Sequence, residues 1–241
     1  MLRPFFAAAL DFLFPPLCHV CRTFIPDAGP LHICSICRER LPPIASPLCV
    51  VCGFPFIGVG EDHTCGKCIT SHHHFDAARA ALVHEAASRD LIHAFKYRNK
   101  THLRRPLALL TIERLTEFVR LRAPDLIIPV PLHRKRLRSR GFNQAVLLGE
   151  IFSSHWGIPL DRHNLRRIRW TEPQVNLSAR NRRANVKGAF SIQNAGLVYG
   201  RRVLLVDDVL TTGSTVEECA QMLKSVGAVD VTVITVARAL V

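Results

Sequence analysis

Beyond residue 75 the sequence predicts an α/β fold, a doubly wound and mostly parallel sheet, with a small cysteine-rich domain ahead of it at residues 1–75. Three observations lead there. Short apolar runs alternate with amphipathic, helix-period segments from residue 76 onward, the pattern of strands joined by crossover helices. Ahead of residue 75 the chain is rich in Pro and Cys, and its apolar runs are too short to fill a core. Eight of the nine cysteines stand there in four Cys-x-x-Cys pairs.

Met1, Leu2 and Arg3 followed by Phe5, Phe6 and an alanine run imitate a signal peptide. Asp11 interrupts the run and no small-x-small cleavage site precedes Pro15. Phe5, Phe6, Phe12, Leu13 and Phe14 are therefore expected to form an apolar helix face packed on the protein, with a membrane anchor as the alternative. No stretch approaches the roughly 18–20 apolar residues of a membrane helix, so no span is expected. The expected location is the cytoplasm, where disulfides are rare.

Residues 76–84 read as a strand and 86–97 as an amphipathic helix. A second helix covers 103–121, stopped by Ala123 and Pro124. Residues 125–130 are a short apolar run ended by proline, fitting a buried parallel strand. A helix follows over 143–154, with a short strand near Leu160. Residues 162–187 are polar and basic with no sustained period, and loops of that length are usually functional or disordered. Residues 203–206 read as a strand, 214–226 as a helix and 229–236 as the last strand. Thirty-two Lys and Arg against nineteen Asp and Glu give a net charge of +13, so the expected partners are anions. Phosphorylated small molecules, nucleic acid and an acidic membrane surface all satisfy that charge.

The cysteine pairs are Cys18/Cys21, Cys34/Cys37, Cys49/Cys52 and Cys65/Cys68, separated by 12, 11 and 12 residues. Two thiolates with two residues between them share one tetrahedral zinc, and a second pair completes the shell. Two structural Zn²⁺ ions are expected; iron–sulfur and redox uses are the alternatives. Sequential pairing would group Cys18, Cys21, Cys34 and Cys37, then Cys49, Cys52, Cys65 and Cys68, while an interleaved pairing would join the first pair to the third. Gly53 and Gly66 sit where a knuckle turn wants little bulk. Such a shell contributes about 10–16 kcal/mol of coupled folding energy, which would order some seventy residues without an apolar core. His63 reads as a surface residue, His72, His73 and His74 as solvated linker, and Cys219 as a small core residue. The ribbon pair reads either as a scaffold or interaction module, or as a nucleic-acid contact. Few Lys and Arg lie between Cys18 and Cys68, which weakens the second reading.

A hydrophobic strand at residues 202–206 ends in Asp207 and Asp208, and Val209, Leu210, Thr211, Thr212, Gly213, Ser214 and Thr215 then open a helix. Ligands of doubly wound sheets bind at the carboxyl ends of strands, where this loop must sit. A helix start with small hydroxyl residues supplies N–H and O–H donors to a phosphate. Carboxylates beside a phosphate are repulsive unless a sugar lies between them, its hydroxyls donating to Asp207 and Asp208.

This stretch resembles the 5-phosphoribosyl 1-pyrophosphate (PRPP) motif of type I phosphoribosyltransferases. The resemblance implies that Asp207 and Asp208 hold the ribose hydroxyls and that Thr211, Thr212, Gly213, Ser214 and Thr215 cradle the 5′-phosphate, with Mg²⁺ accompanying PRPP. Pro131, Leu132, His133, Arg134 and Lys135, following the strand at 125–130, look like the pyrophosphate loop of that family. The basic segment 162–187 looks like its flexible loop, in which Arg180, Arg182 and Arg183 are the candidates to act on the leaving group. With Arg140, Gly141, Phe142, Asn143 and Gln144, and with residues 181–190, the chain resembles ComF-type proteins, a bacterial family linked to competence and DNA uptake. Asn143 and Gln144 open a helix and read first as its cap.

The resemblance implies displacement of pyrophosphate at the anomeric carbon, with Mg²⁺ and the basic loops neutralising the leaving group. No dedicated nucleophile is needed, and the acceptor is open. A non-catalytic PRPP-sensing protein and a single-stranded DNA-binding protein are the competing readings, and competence machinery proteins are candidate partners.

Overall fold

The computed structural model describes residues 15–26, 28–171 and 184–240. Phe5, Phe6, Phe12, Leu13 and Phe14 lie outside them, as do Arg180, Arg182 and Arg183. Two short helices, α1 (Ser35–Glu39) and α2 (Gly66–Thr70), each start at the third cysteine of a four-cysteine group. Beyond them come β1 (Ala77–Val83), α3 (Ala86–Tyr97), α4 (Arg104–Arg122), β2 (Leu126–Pro129), α5 (Arg134–Arg140) and α6 (Gln144–Trp156). The chain continues through β3 (Leu165–Arg167), β4 (Phe190–Ile192), β5 (Arg202–Leu210), α7 (Ser214–Ser225) and β6 (Asp230–Arg238). Among the described residues no helix is long and apolar enough to cross a membrane.

The main sheet has the order β1-β6-β5-β2, and every pair is parallel. Because strand side chains alternate, one apolar strand serves two cores. Leu204, Val206, Ile127, Ile234 and Val236 share one face with residues of α3, α4 and α6. Val203, Leu205, Ile128, Val231 and Val233 share the other with α7, β3 and β4. Cys219 is fully buried on α7 in that second core, as its reading required. The strand near Leu160 is present as a parallel bridge to Ile127.

The cysteine-rich segment grips the β1 edge from both sides. Cys18, Ile33, Cys37 and Leu41 join the first core, and Cys49, Cys52 and Phe75 join the second. The chain between the two groups runs antiparallel to β1, with Ile44 N–H donating to Ala81 O (3.1 Å) and Val83 N–H to Pro42 O (2.9 Å). An edge that would otherwise invite pairing with another chain is thereby covered. Ala77, Ala78, Ala80 and Ala81 keep β1 slim enough for this approach. At Gly53 the approach is closest: a Cβ there would stand 2.4 Å from the Ala78 carbonyl oxygen, and φ is +69°. Gly66 has neither constraint, with open space around it.

Three elements depart from expectation. The basic run after β2 is not a loop but helix α5, capped by the His133 ring, which accepts from Lys135 N–H (3.2 Å), and ended by Gly141 at φ +82°. Arg, Lys and Leu are good helix formers, so local propensity outweighs charge repulsion here. Within the stretch read as patternless lies β3, which pairs antiparallel with β4 just beyond it. Strand β5 runs on to Leu210, so both carboxylates sit inside it.

Candidate functional site

Each four-cysteine group brings its sulfurs within 4.8 Å of one another, and the pairing is sequential. A tetrahedron of Zn–S bonds of about 2.3 Å has edges of about 3.8 Å. Cys21 and Cys34 Sγ lie 3.7 Å apart, and Cys52 and Cys65 Sγ 3.8 Å. Backbone amides of Val20 and Cys34 point at Cys18 Sγ, both at 3.4 Å, and those of Cys52 and Cys65 at Cys49 Sγ at 3.4 and 3.3 Å. Donors aimed at sulfur favour thiolates. These residues fit structural Zn²⁺ in both shells. His63 stays outside, stacked on Phe56 at 3.9 Å between centroids.

The second shell is tied to the sheet and to α7. Arg79 donates to the carbonyls of Cys49 (3.3 Å) and Val50 (3.1 Å), and Arg238 to Cys52 O (2.6 Å). His73, expected as solvated linker, instead bridges: its Nε2 lies 3.4 Å from Cys68 Sγ and its Nδ1 3.0 Å from Glu217 Oε2. His74 N–H and Nδ1 meet the other Glu217 oxygen at 2.8 and 2.7 Å. Glu217 stands in the first turn of α7, one turn from Gly213.

A cavity of about 410 Å³ opens where β5 ends. Strand alternation sends the side chains of Asp207 and Asp208 to opposite faces. Asp208 is buried and holds the Lys96 ammonium of α3 at 2.7 Å. Burial, then the neighbouring Asp208, pushes the Asp207 carboxyl up to about 7. The helix start follows. Gly213 is the N-cap of α7 at φ +79°, and this left-handed turn is what requires glycine, since a Cβ would meet only ordinary contact with Leu210. Thr212 and Ser214 hydroxyls bond each other at 2.9 Å.

Of the residues singled out from sequence, Asp207, Asp208, Thr211, Gly213, Ser214, Thr215, Pro131 and Leu132 line this one cavity. Thr212 supports it through Ser214. His133, Arg134 and Lys135 do not line it, because they begin α5; the His133 ring instead meets Trp170 edge-on at 5.3 Å. The cations that do line it are Arg89, Lys96, Arg136, Arg140 and Arg167. Arg136 and Arg140 share one face of α5 at i, i+4 spacing. Burial lowers the guanidinium pKa of Arg136 and Arg167, and Arg167 Nε is buried without a partner among the described residues. Asn143 caps α6 as expected, accepting from Ala145 N–H at 3.0 Å. Gln144 does more: it is buried, accepts from Arg140 at 2.7 Å, and leaves its Nε2 unpartnered beside the cavity. Arg89, Lys96 and Arg167 were missed because nothing local marks them. The Arg136/Arg140 spacing would have shown only had the basic run been read as a helix.

The double zinc ribbon family matches residues 9–69, and the phosphoribosyl transferase domain family matches residues 145–240. Competence protein F of Haemophilus influenzae is 35% identical over 220 residues, 88% of this chain and 94% of that protein. DNA utilization protein YhgH of Escherichia coli K12 is also 35% identical, over 94% of this chain and 98% of its own length. This chain belongs to the ComF family. Competence protein ComFC of Bacillus subtilis is a more distant relative, 25% identical over 81% of this chain and 79% of its own. The ComF chain thus joins two zinc ribbons to a phosphoribosyltransferase-type α/β domain.

Proposed function

We propose that the protein binds PRPP with Mg²⁺ in the β5–α7 cavity and transfers its phosphoribosyl group to an acceptor, in the cytoplasm, in the service of DNA uptake or handling. One observation carries the reading: a carboxylate pair, a glycine-started helix and five cations converge on a single cavity at the carboxyl end of a parallel sheet. The ribose hydroxyls donate to Asp207 and Asp208, displacing the Lys96 ammonium from Asp208. The 5′-phosphate takes the donors of the α7 first turn and of Thr211, Ser214 and Thr215. Pyrophosphate falls to the α5 side, where Arg136 and Arg140 stand, with Arg167 across the cavity. The acceptor's lone pair forms the new bond at the anomeric carbon as the C–O bond breaks and its electrons leave with pyrophosphate. The carboxylate oxygens of Asp207 and Asp208 are the ligand type that a hard cation takes. Mg²⁺, when bound, supplies further charge neutralisation for the diphosphate. Arg180, Arg182 and Arg183, outside the described residues, are proposed to act on the same leaving group.

The test is thermal. PRPP with Mg²⁺ is expected to raise the melting temperature, because a ligand of the folded state stabilises it by mass action. Asp207→Asn with Asp208→Asn is expected to abolish the shift. A shift that survives in the double variant would place the ribose elsewhere.

A further inference from the structure

The two ribbons share a knuckle geometry but not its residues. In the second, the position after Cys52 is Gly53, at φ +69°. In the first, the same position after Cys21 is Arg22, at φ +65°. An L-residue with a side chain pays about 1–2 kcal/mol for that conformation. The turn accepts glycine and carries arginine, so the guanidinium is held there at a cost. It faces a cavity of about 320 Å³ between the first ribbon and the C-terminal end of α3.

That cavity is cationic. Arg22, Arg98 and Lys100 line it against one carboxylate, Asp90. None of the three cations forms an ion pair among the described residues. Their side chains also make no hydrogen bond among the described residues, whereas other cations there do, as Arg38 does to Glu113. Beside them His19 lies between His32 and His102, with ring centroids 5.6 and 5.2 Å away. Asn99, between Arg98 and Lys100, and His32, beside His19, are two more non-glycine residues at positive φ, +52° and +49°. Such strain persists only where the surroundings hold it. Arg22 and Arg98 are exposed and, with Lys100, gather like charges that share no partner among the described residues. A multivalent oxyanion would meet all three, and the forked guanidiniums of Arg22 and Arg98 suit phosphate oxygens. His93 lines both this cavity and the β5–α7 cavity, so the two basic surfaces are continuous around α3.

We propose that Arg22, Arg98 and Lys100, with the His19 and His102 imidazoles beside them, form a second anion site for phosphate groups. Those phosphates belong either to a free phosphorylated molecule or to the backbone of a nucleic-acid strand. The site does not depend on the PRPP reading.

Two variants test it, probed with a short single-stranded thymidine oligonucleotide and with inorganic pyrophosphate. Arg22→Gly copies the second ribbon and relieves backbone strain, so it is expected to keep both zinc ions and to melt no lower than the parent. Arg98→Gln with Lys100→Gln leaves the knuckle untouched. Both are expected to weaken oligonucleotide binding about tenfold at low salt. Each lost phosphate contact should also reduce the slope of log affinity against log salt by about 0.7 for a single strand. Weakening of both probes identifies a general phosphate site, and weakening of the oligonucleotide alone identifies a strand-binding one. Oligonucleotide and pyrophosphate affinities that both stay at the parent value in the zinc-loaded variants would overturn the proposal, as would a parent protein that binds neither probe.

Discussion

The two ribbons have the same ligand spacing, the same sequential pairing and the same amide bond from the third cysteine to the first sulfur, yet they are built into the protein differently. The second turns inward. Gly53 presses on the Ala78 carbonyl, Arg79 and Arg238 hold the Cys49, Val50 and Cys52 carbonyls, and His73 connects Cys68 to Glu217 at the start of α7. The first is tied to the main body by the Arg38–Glu113 pair at 2.6 Å and keeps its Arg22 knuckle at the rim of an open basic cavity. A metal shell orders a loop, but the residues on its outer side decide what the ordered loop does. Here one shell braces the sheet and its ligand loop, and the other presents charge.

Removing a ligand from each shell gives the largest contrast. Cys52→Ser and Cys21→Ser are each expected to leave about one zinc per chain by metal analysis. Only Cys52→Ser is expected also to lose most of the melting-temperature shift caused by PRPP with Mg²⁺, since its shell reaches α7 through His73 and Glu217. Equal losses in the two variants would mean that the ribbons are coupled to the sheet alike.

A smaller effect separates close approach from turn strain. Gly53→Ala combines a positive φ with a backbone contact at 2.4 Å and is expected to cost roughly 3 kcal/mol by denaturant unfolding. Gly29→Ala, at φ +52° in open space in the first ribbon, is expected to cost only about 1 kcal/mol. Similar costs would show that the second ribbon does not bear on β1 as closely as Gly53 indicates.

The smallest effect sharpens the contrast furthest. His73→Ala leaves all eight cysteines in place and removes one side of the link to Glu217. It is expected to keep both zinc ions and to weaken PRPP binding about fivefold, near 1 kcal/mol, by titration. Binding of the oligonucleotide near Arg22 is expected to stay unchanged. A wholesale loss of zinc would instead make His73 part of the shell.

Much of this architecture could be read from residue order alone, because it is encoded locally. Cys-x-x-Cys spacing sets a tetrahedral shell within a few residues, and the run from Val203 to Thr215 writes strand, acid pair, turn and helix start in one stretch. The left-handed φ of +79° at Gly213 is the one part of that stretch that only the backbone shows. Helix α5 was hidden because its charge suggested a loop while its propensity favoured a helix. Other features depend on contacts between residues far apart in the chain. Lys96 meets Asp208 across 112 positions, His73 meets Glu217 across 144, and Arg167 reaches the cavity because β3 pairs with β4. Arg22 and Gly53 occupy equivalent places in two similar sequences, and nothing in either ribbon tells which will face solvent. That was settled by the parallel sheet, whose alanine-rich edge strand offers one side to each ribbon and places only the first beside the basic end of α3.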